Sequence, residues 1–507
     1  MDSTTGIFFW GFMVVYGIIM FAISPKTVSL GGFFKGEDKQ GRQANPWMIT
    51  ASIFIAWIFA KSVTNAANMG LKFGIVGGIG YAVYWLCIPL TGYALYRLRR
   101  RYQATSIVSF LTQHYGVAAA FCFSAAILVR LFNEVWSNTS VIGSYYGASG
   151  STPFVIAALL FTAITVAYCC WGGMRSSLIT DVVQAVLFTV LLLVVLFWIV
   201  PQDGVGPLAN SGVWTLEGGV DFIIGAGLQC LSYGFHDAVL TDRGFLCDEK
   251  SMLKSFVISG LLGFVAIVLF SVIGVHAMLN GMTGTAPIVV AQSLGTLAFF
   301  LMAIIMISTA GSTLDSTFTA LSKMTARDLP GILGITPKMN PRIIGIIFMV
   351  VFGVVGNLPM ILGADIITAT TISGTMIMGL GPIFLLHGVG RIKPTKAGFM
   401  LAFWIGMILG IWDVVDAASL SFMNIGAGAY ANFLGVNFWG AVICWIAYIV
   451  PGLIAGAKDF KEARWPAWKG LTNEEIAKLD VQREELAAKG LDIDPEGVEP
   501  AGKKATA

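Results

Sequence analysis

Long apolar runs alternate with short polar loops along most of this chain. Measured against the roughly twenty residues a helix needs to cross a bilayer, the pattern predicts thirteen spans, at about 6–24, 46–69, 74–96, 117–146, 152–171, 177–200, 220–238, 255–279, 295–322, 343–363, 365–389, 397–416 and 435–456. The fold class this predicts is an all-α polytopic membrane protein with about 13 transmembrane helices. The first run follows the acidic, lysine-free start MDSTT and has no small-residue cleavage site, so it is expected to be a retained span. After Gly456 the chain turns polar. Thr472-Asn473-Glu474-Glu475 ahead of Ile476 and Leu479 has the form of a capping box opening a short helix, and the last residues, DPEGVEPAGKKATA, are predicted to be disordered.

Composition removes the soluble alternatives. Hydrophobic residues make up 56% of the chain, charged ones only 12%, and mean hydropathy is +0.79, which excludes a soluble multidomain enzyme. The 59 glycines fit helices that must approach closely in lipid. The net charge of +3 is small, and the cations cluster between apolar runs, so they act as topology signals and not as a nucleic-acid surface. Loops near 26–42, 97–101, 175, 243–254, 323–342 and 391–396 hold nearly all of them; the opposite loops have none, and Lys72 is the exception. That asymmetry places the N-terminus outside and the C-terminus in the cytoplasm of a plasma-membrane protein. The cysteines, without metal-like spacing, are expected to be free thiols.

Several residues do not belong in lipid unless something holds them. Lys61 lies inside the second apolar run and needs a carboxylate, a wet cavity or an anionic ligand; Asp181, Asp315 and Glu134 are the candidate partners. Arg130 and Glu134 stand at i,i+4 and are able to neutralise each other, with Asn133, Trp136 and Asn138 beside them. Gln229, Tyr233, His236 and Asp237 form a comparable group on the seventh run, where His236 reads first as a packed, hydrogen-bonded histidine. Thr368, Thr371 and Ser373 lie on the eleventh, with Gly374 able to break it. On the ninth run, 312, 316 and 319 share a helix face with 309, 313 and 315 beside it, a hydroxyl stripe suited to a small hard cation. Bonding back to carbonyls one turn away accounts for single hydroxyls, but not for Asp315 among them. No Ser-His-Asp set, Walker loop or metal-spaced His/Cys set is present, and the four histidines are widely separated in sequence, so no enzyme is expected.

The run Ser312-Thr313-Leu314-Asp315-Ser316 and the segment GGMRSSLITDVVQ at 172–184 resemble signatures of the sodium/solute symporter family, with Asp242-Arg243 a looser match. The resemblance extends from the first span through the apolar region. It implies two inverted five-helix repeats, 46–200 and 220–390, flanked by an extra helix and loop (1–45), two further helices (391–456) and a cytoplasmic tail (457–507). It implies sodium bound by the carbonyls of Ala60, Val63 and Thr309 and the hydroxyls of Ser312 and Thr313, with a second ion near Asp181, Asp315 and Ser316. The substrate cavity would be served by Lys61, Asn133, Glu134, Gln229, Tyr233, His236 and Thr371. Sodium-coupled symport of a small organic solute is the expected function, with a lean toward a carboxylate-bearing solute. Sodium is the expected coupling ion, with no other cofactor; the partners are the solute, sodium and the bilayer, with no nucleic acid and a monomer as the expected unit. Lys61 has three readings: an ion pair with Asp315 or Asp181, an anchor for an anionic solute, or an ammonium replacing sodium in a proton-coupled or exchange carrier. A non-transporting solute sensor is the other class, which the short tail disfavours.

Overall fold

The computed structural model of the chain describes residues 3–362, 374–462, 465–488, 491–494 and 497–500. These form α1 (Ser3–Ile23), α2 (Pro46–Ala56), α3 (Ala60–Ala82), α4 (Cys87–Tyr102), α5 (Val117–Ser144), α6 (Thr152–Asp203), α7 (Asp221–Cys230), α8 (Ala238–Arg243), α9 (Glu249–Leu279), α10 (Thr296–Lys323), α11 (Pro341–Val355), α12 (Leu380–Leu385), α13 (Lys396–Asp416), α14 (Ala431–Glu462) and α15 (Asn473–Ala488), with shorter helical turns between them. Among the described residues nine helical stretches are long and apolar enough to cross a bilayer. The chain is a multi-pass membrane protein.

Three of the nine, Thr152–Asp203, Ala60–Tyr102 and Thr296–Leu333, are longer than one crossing needs. At 1.5 Å per residue the 52 residues of α6 would run about 78 Å, against a hydrocarbon core of about 30 Å. Gly173 divides α6 with φ 56° and ψ −145°, and Gly74 divides α3 in nearly the same way with φ 64° and ψ −151°, conformations open to glycine and strained for other residues. The predicted boundary between spans at 171–177 falls on the first of these. The eleventh predicted run lies partly outside the described residues, so thirteen is not a number the helices settle.

Two predicted spans are broken. The run at 46–69 is α2 and α3 separated at Trp57–Phe59, and the run at 220–238 is α7, a tight turn at Tyr233–His236 and α8. Asn45 caps α2 and Pro46 opens it, as local rules predict. Its end carries neither glycine nor proline. There the Trp57 ring packs against Phe59, Trp85 and Tyr233 at centroid distances of 5.7, 6.1 and 5.8 Å, so tertiary contacts hold the interruption.

The most extensive helix pairing is α3 against α9, followed by α6 against α10. A Cβ on Gly274 would fall 1.7 Å from the Ala67 carbonyl oxygen, and one on Gly70 would fall 2.3 Å from that of Ser271. Backbones touch at this crossing, which small residues permit and lipid-exposed helices need. The tail helix α15 opens with the predicted capping box: the Thr472 backbone N–H donates to Glu475 Oε2 (2.7 Å) and the Glu475 N–H to Thr472 Oγ1 (3.3 Å). Leu491–Asp494 pairs antiparallel with Gly497–Pro500, where disorder was predicted; Leu491 and Ile493 alternate with acids in a period-two pattern that composition hides.

Candidate functional site

Two buried groups of charge lie where the broken helices meet the long ones. The first is built on α10. The Thr313 hydroxyl donates to the Thr309 carbonyl (3.1 Å) and faces the carbonyl of Ala56 (3.3 Å), the last residue of α2 before its break. Ser312 and Ser52 both donate to Asp181 on α6. Arg243, fully buried at the end of α8, holds the same carboxylate: Nη2 lies 3.0 Å from Asp181 Oδ2 and 2.5 Å from Ser316 Oγ, Nε donates to Ser52 (2.6 Å) and Nη1 to the Val239 carbonyl (2.6 Å). Asp315 has no cation in contact among the described residues; it accepts from Ser177 (2.6 Å), Thr180 (2.7 Å) and Tyr168 (3.0 Å). The guanidinium thus ties α2, α6, α8 and α10 together through charge-assisted bonds.

The second group centres on α5. Glu134 Oε1 accepts from Lys61 Nζ (2.8 Å) and Arg130 Nη1 (2.6 Å). Arg130 continues to Asp237 Oδ2 (3.1 Å) and to the Tyr233 hydroxyl (3.2 Å). Asn138 donates to Glu134 Oε2 (3.0 Å). The cations also lie over aromatic faces, Arg130 above Tyr233 (5.3 Å) and Phe59 (5.4 Å), Lys61 above Phe59 (5.3 Å). His236 Nδ1 meets the Tyr233 carbonyl at 2.6 Å, so that nitrogen carries the hydrogen, and its buried Nε2 has no hydrogen-bond partner among the described residues. On the arginine-rich face a cavity of about 610 Å³ opens, lined by Arg99, Asp242, Lys323, Arg327 and Asp328 among others; Asp242, bonded to Lys323 at 2.6 Å, is the chain neighbour of Arg243.

No family model matches the chain. The sodium/pantothenate symporter of Escherichia coli (strain K12) is 24% identical over 208 residues, 40% of this chain and 42% of the relative, so the match spans less than half of either protein. A substrate-bound, outward-open Na⁺-coupled sialic acid symporter superposes with a TM-score of 0.68 at 15% identity, covering 89% of this chain and 97% of that one. A closed nucleobase-cation-symport-1 family transporter with bromovinylhydantoin bound gives 0.54 at 13% identity, covering 89% and 99%, and MhsT in complex with L-phenylalanine gives 0.53 at 15%, covering 80% and 99%. The chain shares the LeuT-type fold of these transporters. The proteins it resembles are transporters, not enzymes.

The residues predicted from sequence divide between the two groups. Thr309, Ser312, Thr313, Asp181, Asp315 and Ser316 come together on the first. Ala60 and Val63 sit inside the next helix, where the Ala60 carbonyl accepts from Thr64 (2.9 Å); the carbonyl beside Thr313 is that of Ala56, because the break comes earlier than expected. Lys61, Glu134, Tyr233 and His236 come together on the second. The expected pairing of Lys61 with Asp181 or Asp315 is replaced by Glu134: Arg243 occupies Asp181, and the Lys61 ammonium donates to a carboxylate and not to the ion-side hydroxyls.

Gln229 lies apart from both, accepting from Tyr84 (2.7 Å) and donating to Asn437 (2.9 Å), with Gly374 packed closely against it. Asn133 bonds within its own helix, to Trp136 Nε1 (3.3 Å). Thr368, Thr371 and Ser373 lie outside the described residues. The histidines are less scattered than the sequence suggests, since the rings of His114 and His387 stand 4.9 Å apart; still, no group of three or more metal-binding side chains occurs among the described residues. Sequence reasoning missed the role of Arg243 and of Ser52. An arginine at the edge of an apolar run was the signal available.

Proposed function

We propose that this chain is a secondary transporter coupling the movement of a small organic solute to sodium by alternating access. One observation carries the reading: where α2 breaks, the Ala56 and Thr309 carbonyls and the Ser312 and Thr313 hydroxyls stand together, hard oxygen ligands drawn from two helices. Ser312 gives its hydrogen to Asp181, which leaves its lone pairs for an ion. Asp181 then acts from behind the first ligands, oriented by Arg243. A second ion at Asp181, Asp315 and Ser316 would have to share Asp181 and Ser316 with that guanidinium.

The group around Glu134 is the proposed solute side, lined by Lys61, Arg130, Tyr233 and His236. The preference for a carboxylate-bearing solute rests on Arg130, whose buried Nε has no hydrogen-bond partner among the described residues. The 610 Å³ cavity beside Asp242 and Lys323 supports release toward the basic face. The remaining assignments are two inverted repeats at 46–200 and 220–390, an outside N-terminus, a cytoplasmic C-terminus, the plasma membrane and a monomeric unit.

Equilibrium binding of ²²Na⁺ to the purified chain tests the ion site. Saturable binding that Ser312→Ala and Thr313→Ala each weaken is expected; binding equal to that of a potassium control overturns the reading. For the solute, Lys61→Ala and Arg130→Ala carriers that keep normal affinity would remove the carboxylate preference.

A further inference from the structure

At the end of α4, on the arginine-rich face, a second cavity of about 340 Å³ lies between that helix and the tail helix α15. Tyr93, Tyr96, Arg97, Arg100, Arg101 and Asp480 line it, with Asn473, Ile476 and Ala477 of α15 between them. Its charges do not cancel. Arg100 is matched by Asp480 in a two-pronged pair, 2.7 Å on each arm. Arg97 gives its hydrogens to the backbone carbonyls of Phe384, Leu385 and His387, and Arg101 bonds the Asn473 side chain at 2.8 Å. None of those partners carries a formal charge. Two guanidinium charges are therefore uncompensated in a cavity with a single acid.

The cavity also sits at membrane level. α4 closes the apolar stretch Ala60–Tyr102, and Tyr93 on its last turns is 55% exposed, a position where tyrosines mark the boundary between hydrocarbon and headgroups. We propose that this cavity binds the phosphate of an anionic membrane lipid. Guanidinium forks match phosphate oxygens, and basic pockets beside the inner ends of spanning helices suit such headgroups. The phosphate and Asp480 would then compete for Arg100, so lipid binding loosens the tail helix at that contact. A free phosphate ion has the same chemistry, but only a lipid lays acyl chains along the exposed Tyr93 side.

Native mass spectrometry of the full chain, purified in mild detergent and supplied with phosphatidylglycerol, phosphatidylcholine or inorganic phosphate, tests this. Retained phosphatidylglycerol adducts well above the phosphatidylcholine level are expected. Arg101→Gln should cut them about fivefold, the worth of about 1 kcal/mol per basic residue near a charged surface. Arg101→Lys should keep most of them, and Asp480→Asn should raise them by removing the competing acid. The two opposite directions separate a site from a folding defect. Equal adducts with both lipids, or no change in Arg101→Gln, overturns the site; inorganic phosphate bound with the same Arg101 dependence and no lipid excess overturns the lipid as its occupant.

Discussion

The two buried charge groups use similar side chains to different ends. Around Asp181, two acids face one arginine, and seven hydroxyls from Ser52, Tyr168, Ser177, Thr180, Ser312, Thr313 and Ser316 fill the remaining space, so the group carries one excess acid and many oxygen lone pairs. Around Glu134, two acids face two cations, and the walls are Phe59 and Tyr233. An oxygen-rich group of this kind has the hard ligands that suit a small cation. A balanced, aromatic-walled one has no net pull on an ion but offers directional donors to a polar solute. One helix break at Trp57–Phe59 serves both, since Ala56 on one side of it faces Thr313 and Lys61 on the other side reaches Glu134.

The largest effect is expected from Arg243→Ala. It strands Asp181 without a contacting cation and should cost about 3–5 kcal/mol, read as a steep loss of thermal stability in detergent. A variant that unfolds like the wild type would mean the group is not held by its charges. Next is the Glu134 side: Lys61→Met and Glu134→Gln should each destabilise, and the double variant should be less damaged than their sum by about 1–3 kcal/mol, because the second change removes the charge the first strands. Simple additivity would show that the two side chains do not act as a pair.

Smaller in stability but sharper in function, Ser312→Ala should cost only about 1 kcal/mol in thermal unfolding while weakening sodium binding tenfold or more. Lys61→Met should leave sodium binding nearly unchanged; if both variants impair it equally, the division of labour between the groups is wrong. The smallest effect concerns the tail. Its hydrogen bonds with Arg100 hold Asp480 below the usual carboxylate range, so docking of α15 is favoured above the undocked pKa and weakens as pH falls through the docked one. The protection of the 473–488 amides against hydrogen exchange, taken relative to their intrinsic rate at each pH, should fall in acid and stay unchanged between neutral and mildly alkaline pH.

What could be read beforehand followed from local periodicity. The hydroxyl stripe with Asp315 is a property of one helix, and the Arg130–Glu134 pair is an i,i+4 relation; both stand in the structure as the spacing implies. Gly173 and Gly74 were visible only as two glycines among many, because their left-handed backbone depends on where the chain must turn. Arg243 was unreadable for a different reason: its partners Asp181 and Ser52 lie 62 and 191 residues away. Lys61 showed the same difficulty, with three acids available in other spans and no rule of sequence to rank them.

By itself, then, the sequence determined the solvent this protein lives in, the approximate limits of many of its helices, and the kinds of side chain that had to be sheltered, since hydropathy and helical period are local quantities. The tertiary structure decided which acid neutralises which cation, that the Ala56 carbonyl faces Thr313, and that Gln229 bonds Tyr84 and Asn437. Those outcomes depend on distances between helices far apart in the chain. A buried charge is stabilised only by what is within a few ångströms of it, and no one-dimensional pattern contains that distance.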